Sequence, residues 1–268
     1  MNTIELTEIN FNNLKKLRKQ GTLSTILRDE NNCYKFMKHL NKNQLKHLRH
    51  KIEYFSKLDK KLFLVPENII LNEGNFVGYT MKYFDNSTDL YNKYTNSDCI
   101  NFAEFNSDLI KSSKALREFH NNGFVFLDMS FSNILKNSNG EIKLCDFDGS
   151  IYNQKIDLPI TSQILNDYVE YKNEKIKVNP NTDRLSLLLS MYVALFKKEI
   201  TDVKEEEYDY LADRIRSLKI LKFYYKTLLD KKENIPNIPY LDLLLCKNDN
   251  VTIKYQISKE KVLVKCEK

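Results

Sequence analysis

One stretch, Gly123 to Ser150 (GFVFLDMSFSNILKNSNGEIKLCDFDGS), limits this chain more than any other. An apolar run, Phe124 to Leu127, ends on Asp128. Five residues later Asn133 leads straight into apolar Ile134 and Leu135. A polar turn rich in Asn, Ser and Gly, Lys136 to Gly140, then feeds Ile142-Lys-Leu-Cys145 and Asp146-Phe-Asp148. Short apolar runs on either side of such a turn predict a hairpin. A hairpin brings Asp128, Asn133 and Asp146 to one edge. Two carboxylates and an amide oxygen are hard ligands of the kind Mg2+ prefers. A carboxylate beside such an ion can also take a proton from an attacking hydroxyl.

Asp-x-x-x-x-Asn, a short hairpin and Asp-Phe-x, with Asp128 and Asp146 eighteen residues apart, together resemble the catalytic core of the eukaryotic-type (Ser/Thr) protein kinase family. The chain reads as a divergent member. The resemblance covers roughly residues 19–245. It implies an α+β, two-lobed protein kinase-like fold, with a small β-rich N-lobe over about 1–84 and a larger helical C-lobe over about 85–246. A C-terminal hairpin over about 247–268 is expected from the alternation in VTIKYQISKEKVLVK; the resemblance does not explain it. All of this forms one domain.

On the same resemblance, Asp128 is the catalytic base, and Asn133 and Asp146 are the metal ligands. The nucleotide contacts implied are Gly21, Ile26, Cys33, Lys35, Glu53, Met81, Tyr83 and Leu135. Gly21 falls on the middle glycine of the Gly-rich loop, with Lys19 and Ser24 where its neighbours would be glycine. Lys35 falls on the third-strand lysine, Lys38 being its rival. Glu53, the lone acid of a basic helix over about Gln44–Leu58 and thirteen residues before Pro66, is the expected partner that orients Lys35. Met81 to Phe84 supply the hinge, whose backbone would hydrogen-bond adenine. Asp183 opens a nearly all-apolar helix through Phe196. It is expected to hold the catalytic-loop backbone or to cap its helix. Glu170 looks like a degenerate Ala-Pro-Glu glutamate. Thr161 and Ser162 are candidate phosphosite or substrate-loop positions. The cofactors implied are ATP and Mg2+.

Three departures bear on activity. Phe126-Leu127 replace the usual His-Arg, and Phe126 is expected to stack on Phe147. Ser130 stands where a lysine is usual. Asp148 replaces the glycine after Asp-Phe and is a candidate second metal ligand. The first reading is therefore an active protein kinase transferring the γ-phosphate of ATP to a Ser or Thr hydroxyl on a protein. The alternatives are a small-molecule phosphotransferase of the aminoglycoside and choline kinase type, and a nucleotide-binding pseudokinase that acts as an interaction module.

Composition narrows the setting. The five cysteines (33, 99, 145, 246, 266) lack Cys-x-x-Cys spacing, which fits a reducing compartment and no zinc site. No secretory signal opens the chain and no apolar run is long enough to span a bilayer, so a cytoplasmic location without membrane is expected. The net charge of +6 is uneven: residues 1–84 hold 15 Lys and Arg against 8 Asp and Glu. That excess reads first as a solvated helix face and second as a docking surface for an acidic partner. Without a nucleic-acid motif or interleaved aromatics, no nucleic-acid partner is expected.

Overall fold

The computed structural model describes residues 1–17, 24–152, 163–172, 178–245, 250–258 and 261–267. In chain order the elements are β1 (Asn2–Glu5), β2 (Lys15–Lys16), β3 (Ser24–Arg28), β4 (Asn32–Met37), α1 (Lys42–Phe55), β5 (Pro66–Asn72), β6 (Asn75–Lys82), β7 (Thr88–Asp89), β8 (Cys99–Asn101) and α2 (Phe102–Asn121). Then come β9 (Phe124–Val125), β10 (Ile134–Lys136), β11 (Ile142–Leu144), β12 (Ile151–Tyr152), α3 (Gln163–Lys172), α4 (Pro180–Phe196), α5 (Glu205–Ala212), α6 (Arg216–Leu229), α7 (Leu241–Leu244), β13 (Thr252–Ser258) and β14 (Lys261–Glu267).

A six-stranded sheet, in the order β1-β5-β6-β4-β3-β2, gathers the first part of the chain. Its neighbours run antiparallel except for β1, which lies parallel to β5. Asn72 to Asn75 form its β5–β6 turn. Glu73 and Gly74 both take positive φ there, 51° and 76°, as a two-residue turn matched to the strand twist requires. Helix α1 packs on β5 and β6. Asn41 and Gln44 close its first turn reciprocally: each side chain accepts from the other's backbone N–H. The helix therefore starts two residues before the predicted Gln44.

The second part is mainly helical. Asn101 caps α2 by accepting from the N–H of Glu104, and the chain leaves that helix through Gly123 at φ 84°. Asn179 caps α4 and Pro180 occupies its first turn. From Leu185 to Phe196 nearly every side chain of α4 is buried, so this helix forms the centre of the core. After Val203 the chain forms two successive helices, α5 and α6. They part at 213–215, where the backbone of Ile215 is extended at φ −123° and ψ 107° and its side chain is buried in the core.

The hairpin singled out in the sequence is β10–β11, with Ile134 opposite Leu144 and Lys136 opposite Ile142. The polar segment after Phe84 adds β7 to its other side. The C-terminal hairpin, β13–β14, is also present and pairs with β8. Among the described residues no helix is long and apolar enough to cross a membrane. Cys33, Cys99, Cys145 and Cys266 are free thiols.

Gly78 shows how tightly β6 lies against β4. A Cβ added there would sit 2.2 Å from the backbone oxygen of Lys35, closer than any real contact. Gly78→Ala is therefore expected to destabilise the fold by about 1–3 kcal/mol in urea unfolding. A variant as stable as the wild type would show that the strand has room to move.

Candidate functional site

The segment from Phe126 to Asn133 is held from below by a buried carboxylate. Asp183, in the first turn of α4, accepts the backbone N–H groups of Phe126 at 2.6 Å and Leu127 at 2.9 Å. His120 Nε2 lies 2.8 Å from the same carboxylate, and His120 Nδ1 lies 2.8 Å from the Tyr240 hydroxyl. Asp183 thus holds the loop backbone, while Asn179 does the capping that was its other expected role. Leu127 passes through the left-handed region at φ 67°, a conformation a Leu adopts only when its surroundings impose it. Here the two bonds to Asp183 and the buried side chain of Leu127 impose it.

Beyond that bend, Asp128 and Asn133 meet directly. Asn133 Nδ2 donates to the Asp128 backbone oxygen at 2.8 Å and to Asp128 Oδ2 at 3.1 Å. Met129 and Phe131, both buried, pin the loop between them. The β10–β11 ladder then carries the chain back, with Cys145 N–H donating to Asn133 O at 3.0 Å. Asp146 follows at once, at φ 61°. The hairpin therefore brings the three predicted residues to one edge.

Lys35 reaches this edge from the sheet. It pairs in register with Ile26 on β3 and Tyr79 on β6. Its side chain is 2% exposed, and its ammonium contacts Asp146 Oδ1 and lies 2.6 Å from Asp148 Oδ2. Tyr79 donates its hydroxyl to the other oxygen of Asp148 at 2.6 Å. Burial alone would pull Lys35 down. Asp146 and Asp148 outweigh it and hold the ammonium well above its usual range. Burial and Asp148 push the Tyr79 phenol up in the same way.

The expected Glu53–Lys35 pair does not form. Glu53 lies on the outer face of α1, about half exposed, with His50 at 4.0 Å. The inward stripe of this helix is Leu48, Lys51, Ile52 and Phe55, the one-sided spacing of an amphipathic helix. Lys51 stands one turn before Phe55, whose ring meets Phe147 at 4.9 Å. From there Lys51 donates to the backbone oxygens of Asp148 and Ser150, both at 2.9 Å. A lysine thus occupies the inward position where a glutamate was expected. Asp148, expected as a second metal ligand, is instead engaged by Lys35 and Tyr79. Sequence reading missed Tyr79, Lys51, His120 and Tyr240. The spacing of Lys51 from Phe55 was the available signal for one of them.

Phe126 meets Phe147 edge-on at 6.2 Å, and Phe55, Phe63 and Phe119 complete an aromatic column beneath the site. Among the residues expected to contact a nucleotide, Cys33 faces Met81 across the β4–β6 ladder and both are buried. Ile26, Tyr83 and Leu135 are partly buried against the core. The Tyr83 N–H already donates to Asn31 O at 2.8 Å, so that amide is not free for the adenine bond expected of the hinge. Arg28 stacks over the Tyr83 ring at 4.3 Å. Glu170 is exposed on α3; the inward residue there is Lys172, which donates to the Asp230 and Glu233 oxygens. Gly21, Thr161 and Ser162 lie outside the described residues.

Among the described residues no cluster of three or more His, Cys, Asp or Glu stands at metal-ligand geometry. The chemistry of Asn133 and Asp146 still suits Mg2+, which takes one or two protein oxygens and completes its shell with phosphate and water. The Asp146 side chain, in contact with Lys35, is 41% exposed.

The raised Tyr79 value predicts a pH signature. The folded state keeps the phenol proton above the ordinary value of 10.0, where the unfolded chain loses it, so this stabilisation is full below about pH 10 and fades above. Tyr79→Phe should cost about 1–3 kcal/mol at neutral pH, since it leaves a buried Asp148 oxygen unpaired. Its deficit against wild type should shrink as pH passes about 10. A deficit that stays level through urea titrations on both sides of that pH contradicts the assignment.

No family model matches the chain. Over 151 residues it is 28% identical to NUAK family SNF1-like kinase 2 of Rattus norvegicus, a match covering 56% of this chain. The chain spans about a quarter (24%) of that rat protein's length. The similarity is partial and distant, and it is a similarity to a kinase.

Proposed function

We propose that this chain is an ATP- and Mg2+-dependent phosphotransferase with a two-lobed, protein kinase-like architecture, acting on a Ser or Thr hydroxyl of a protein. One observation carries the reading: a buried sheet lysine, Lys35, meets Asp146 beside a loop in which Asn133 bonds Asp128. A lysine for phosphate, two oxygen donors for a metal and a separate carboxylate for a hydroxyl proton are the parts that phosphoryl transfer requires. The partial similarity to a kinase points the same way.

In this reading Asp128 accepts the proton of the attacking hydroxyl and orients its oxygen. Asn133 steadies Asp128 through its amide, and Asn133 and Asp146 would hold the metal. Lys35 places its ammonium against the phosphates. Mg2+, when bound, supplies charge neutralisation on the transferring phosphoryl group. Ser130, where a lysine is usual, favours a second reading in which the acceptor is a small hydroxyl compound. The exposed basic residues of α1, Lys42, Lys46 and Arg49, would suit an acidic partner. The cytoplasm is the setting we propose, in keeping with the free thiols.

Incubation with γ-labelled ATP and Mg2+, with and without generic protein acceptors, tests this reading. Label is expected on protein, and Asp128→Ala should lower its rate by about 10²–10⁴-fold, the range for loss of a general base. Turnover only with small hydroxyl compounds would select the second reading. Nucleotide binding without transfer to any acceptor would remove both.

A further inference from the structure

In the proposed phosphotransferase reading, Lys35 must point at phosphate, and something must aim it. Two carboxylates touch it, and they differ in what else they can do. Asp146 is 41% exposed and is the candidate metal ligand, so its oxygens have a second claim on them. Asp148 is 8% exposed, and both of its oxygens are engaged inside the protein, Oδ2 by Lys35 at 2.6 Å and Oδ1 by the Tyr79 hydroxyl at 2.6 Å. Recruiting Asp148 to a metal would break two buried, charge-assisted bonds, the strongest kind available to it.

The backbone beneath Asp148 is also fixed. Lys51 donates to the oxygens of Asp148 and Ser150, each at 2.9 Å. Helix α1 therefore sends a cation toward the loop, and the loop sends an anion toward the sheet lysine. Glu53 is half exposed on the far face of the helix and has no route to Lys35.

We infer that Asp148, steadied by Tyr79 and Lys51, is the carboxylate that positions Lys35 for a nucleotide, in place of any acid on α1. The three are positioning residues. Their consequence is that the direction of Lys35 is set by strand β6 and the segment after β11. Helix α1 contributes through the backbone of that segment, without a charge of its own on the lysine.

The inference rests on the phosphotransferase reading for its purpose and on geometry for its content, so the test has two readouts. The 268-residue chain and its Glu53→Gln, Tyr79→Phe and Asp148→Asn variants are treated with an amine-acylating ester. Modification of Lys35 is followed by mass spectrometry, with buried Lys136 and Lys172, 9% and 4% exposed, as internal references. In parallel, Mg2+-ATP affinity is measured by calorimetry. Tyr79→Phe and Asp148→Asn are expected to speed acylation of Lys35 about 5-fold or more over both references and to weaken Mg2+-ATP binding about 10-fold, the loss of one charged hydrogen bond. Glu53→Gln is expected to match wild type in both. General loosening of the fold would expose all three lysines alike and would overturn the inference. So would an equal effect of Glu53→Gln, or a Lys35 that stays protected in both Tyr79→Phe and Asp148→Asn. If the wild type binds no Mg2+-ATP, the phosphotransferase reading falls, and the acylation pattern still decides what aims Lys35.

Discussion

A carboxylate buried in the first turn of an apolar helix has to find donors within reach. Asp183 finds two backbone N–H groups and an imidazole. That need shapes the site. Satisfying it forces the chain at Leu127 through a left-handed bend, and the bend aims the next residue, Asp128, away from the core. Removing the donors would leave a buried charge uncompensated, which costs more than most single contacts contribute. The loop is therefore held by an energetic obligation of α4, and Tyr240, through His120, extends the hold to the segment before α7.

Around this anchor the charged groups arrange themselves as alternating signs. Lys51 rests on backbone oxygens, Asp148 lies between Tyr79 and Lys35, and Lys35 lies between Asp148 and Asp146. Each buried ion has an opposite charge or a polar oxygen against it, as burial demands. Of these four charged residues, Asp146 alone faces solvent substantially.

Much of this was legible in the sequence. The β10–β11 hairpin follows from a polar turn between short apolar runs, and the hold of Asp183 on the loop is what the kinase resemblance implied. What failed was the partner of Lys35. Counting back from Pro66 selected Glu53, but a count along the chain says nothing about which side of a helix a residue occupies. Leu48, Ile52 and Phe55 define the inner stripe, and Lys51 shares it while Glu53 does not. Tyr79 was hidden for another reason. It sits on β6, and its partner lies 69 residues further on, beyond anything local pattern can register.

Sequence separation has a further consequence. The bonds that assemble the site join residues 111 apart for Lys35 and Asp146 and 97 apart for Lys51 and Asp148. Closing such long loops carries an entropic cost that must be met before any contact rewards it, and chains rich in distant pairings fold slowly. Neither the sheet alone nor the helical part alone can hold these ions in place. During folding, a half-assembled chain would carry lysines and aspartates still in water, and the site would come into being only when its two sources dock.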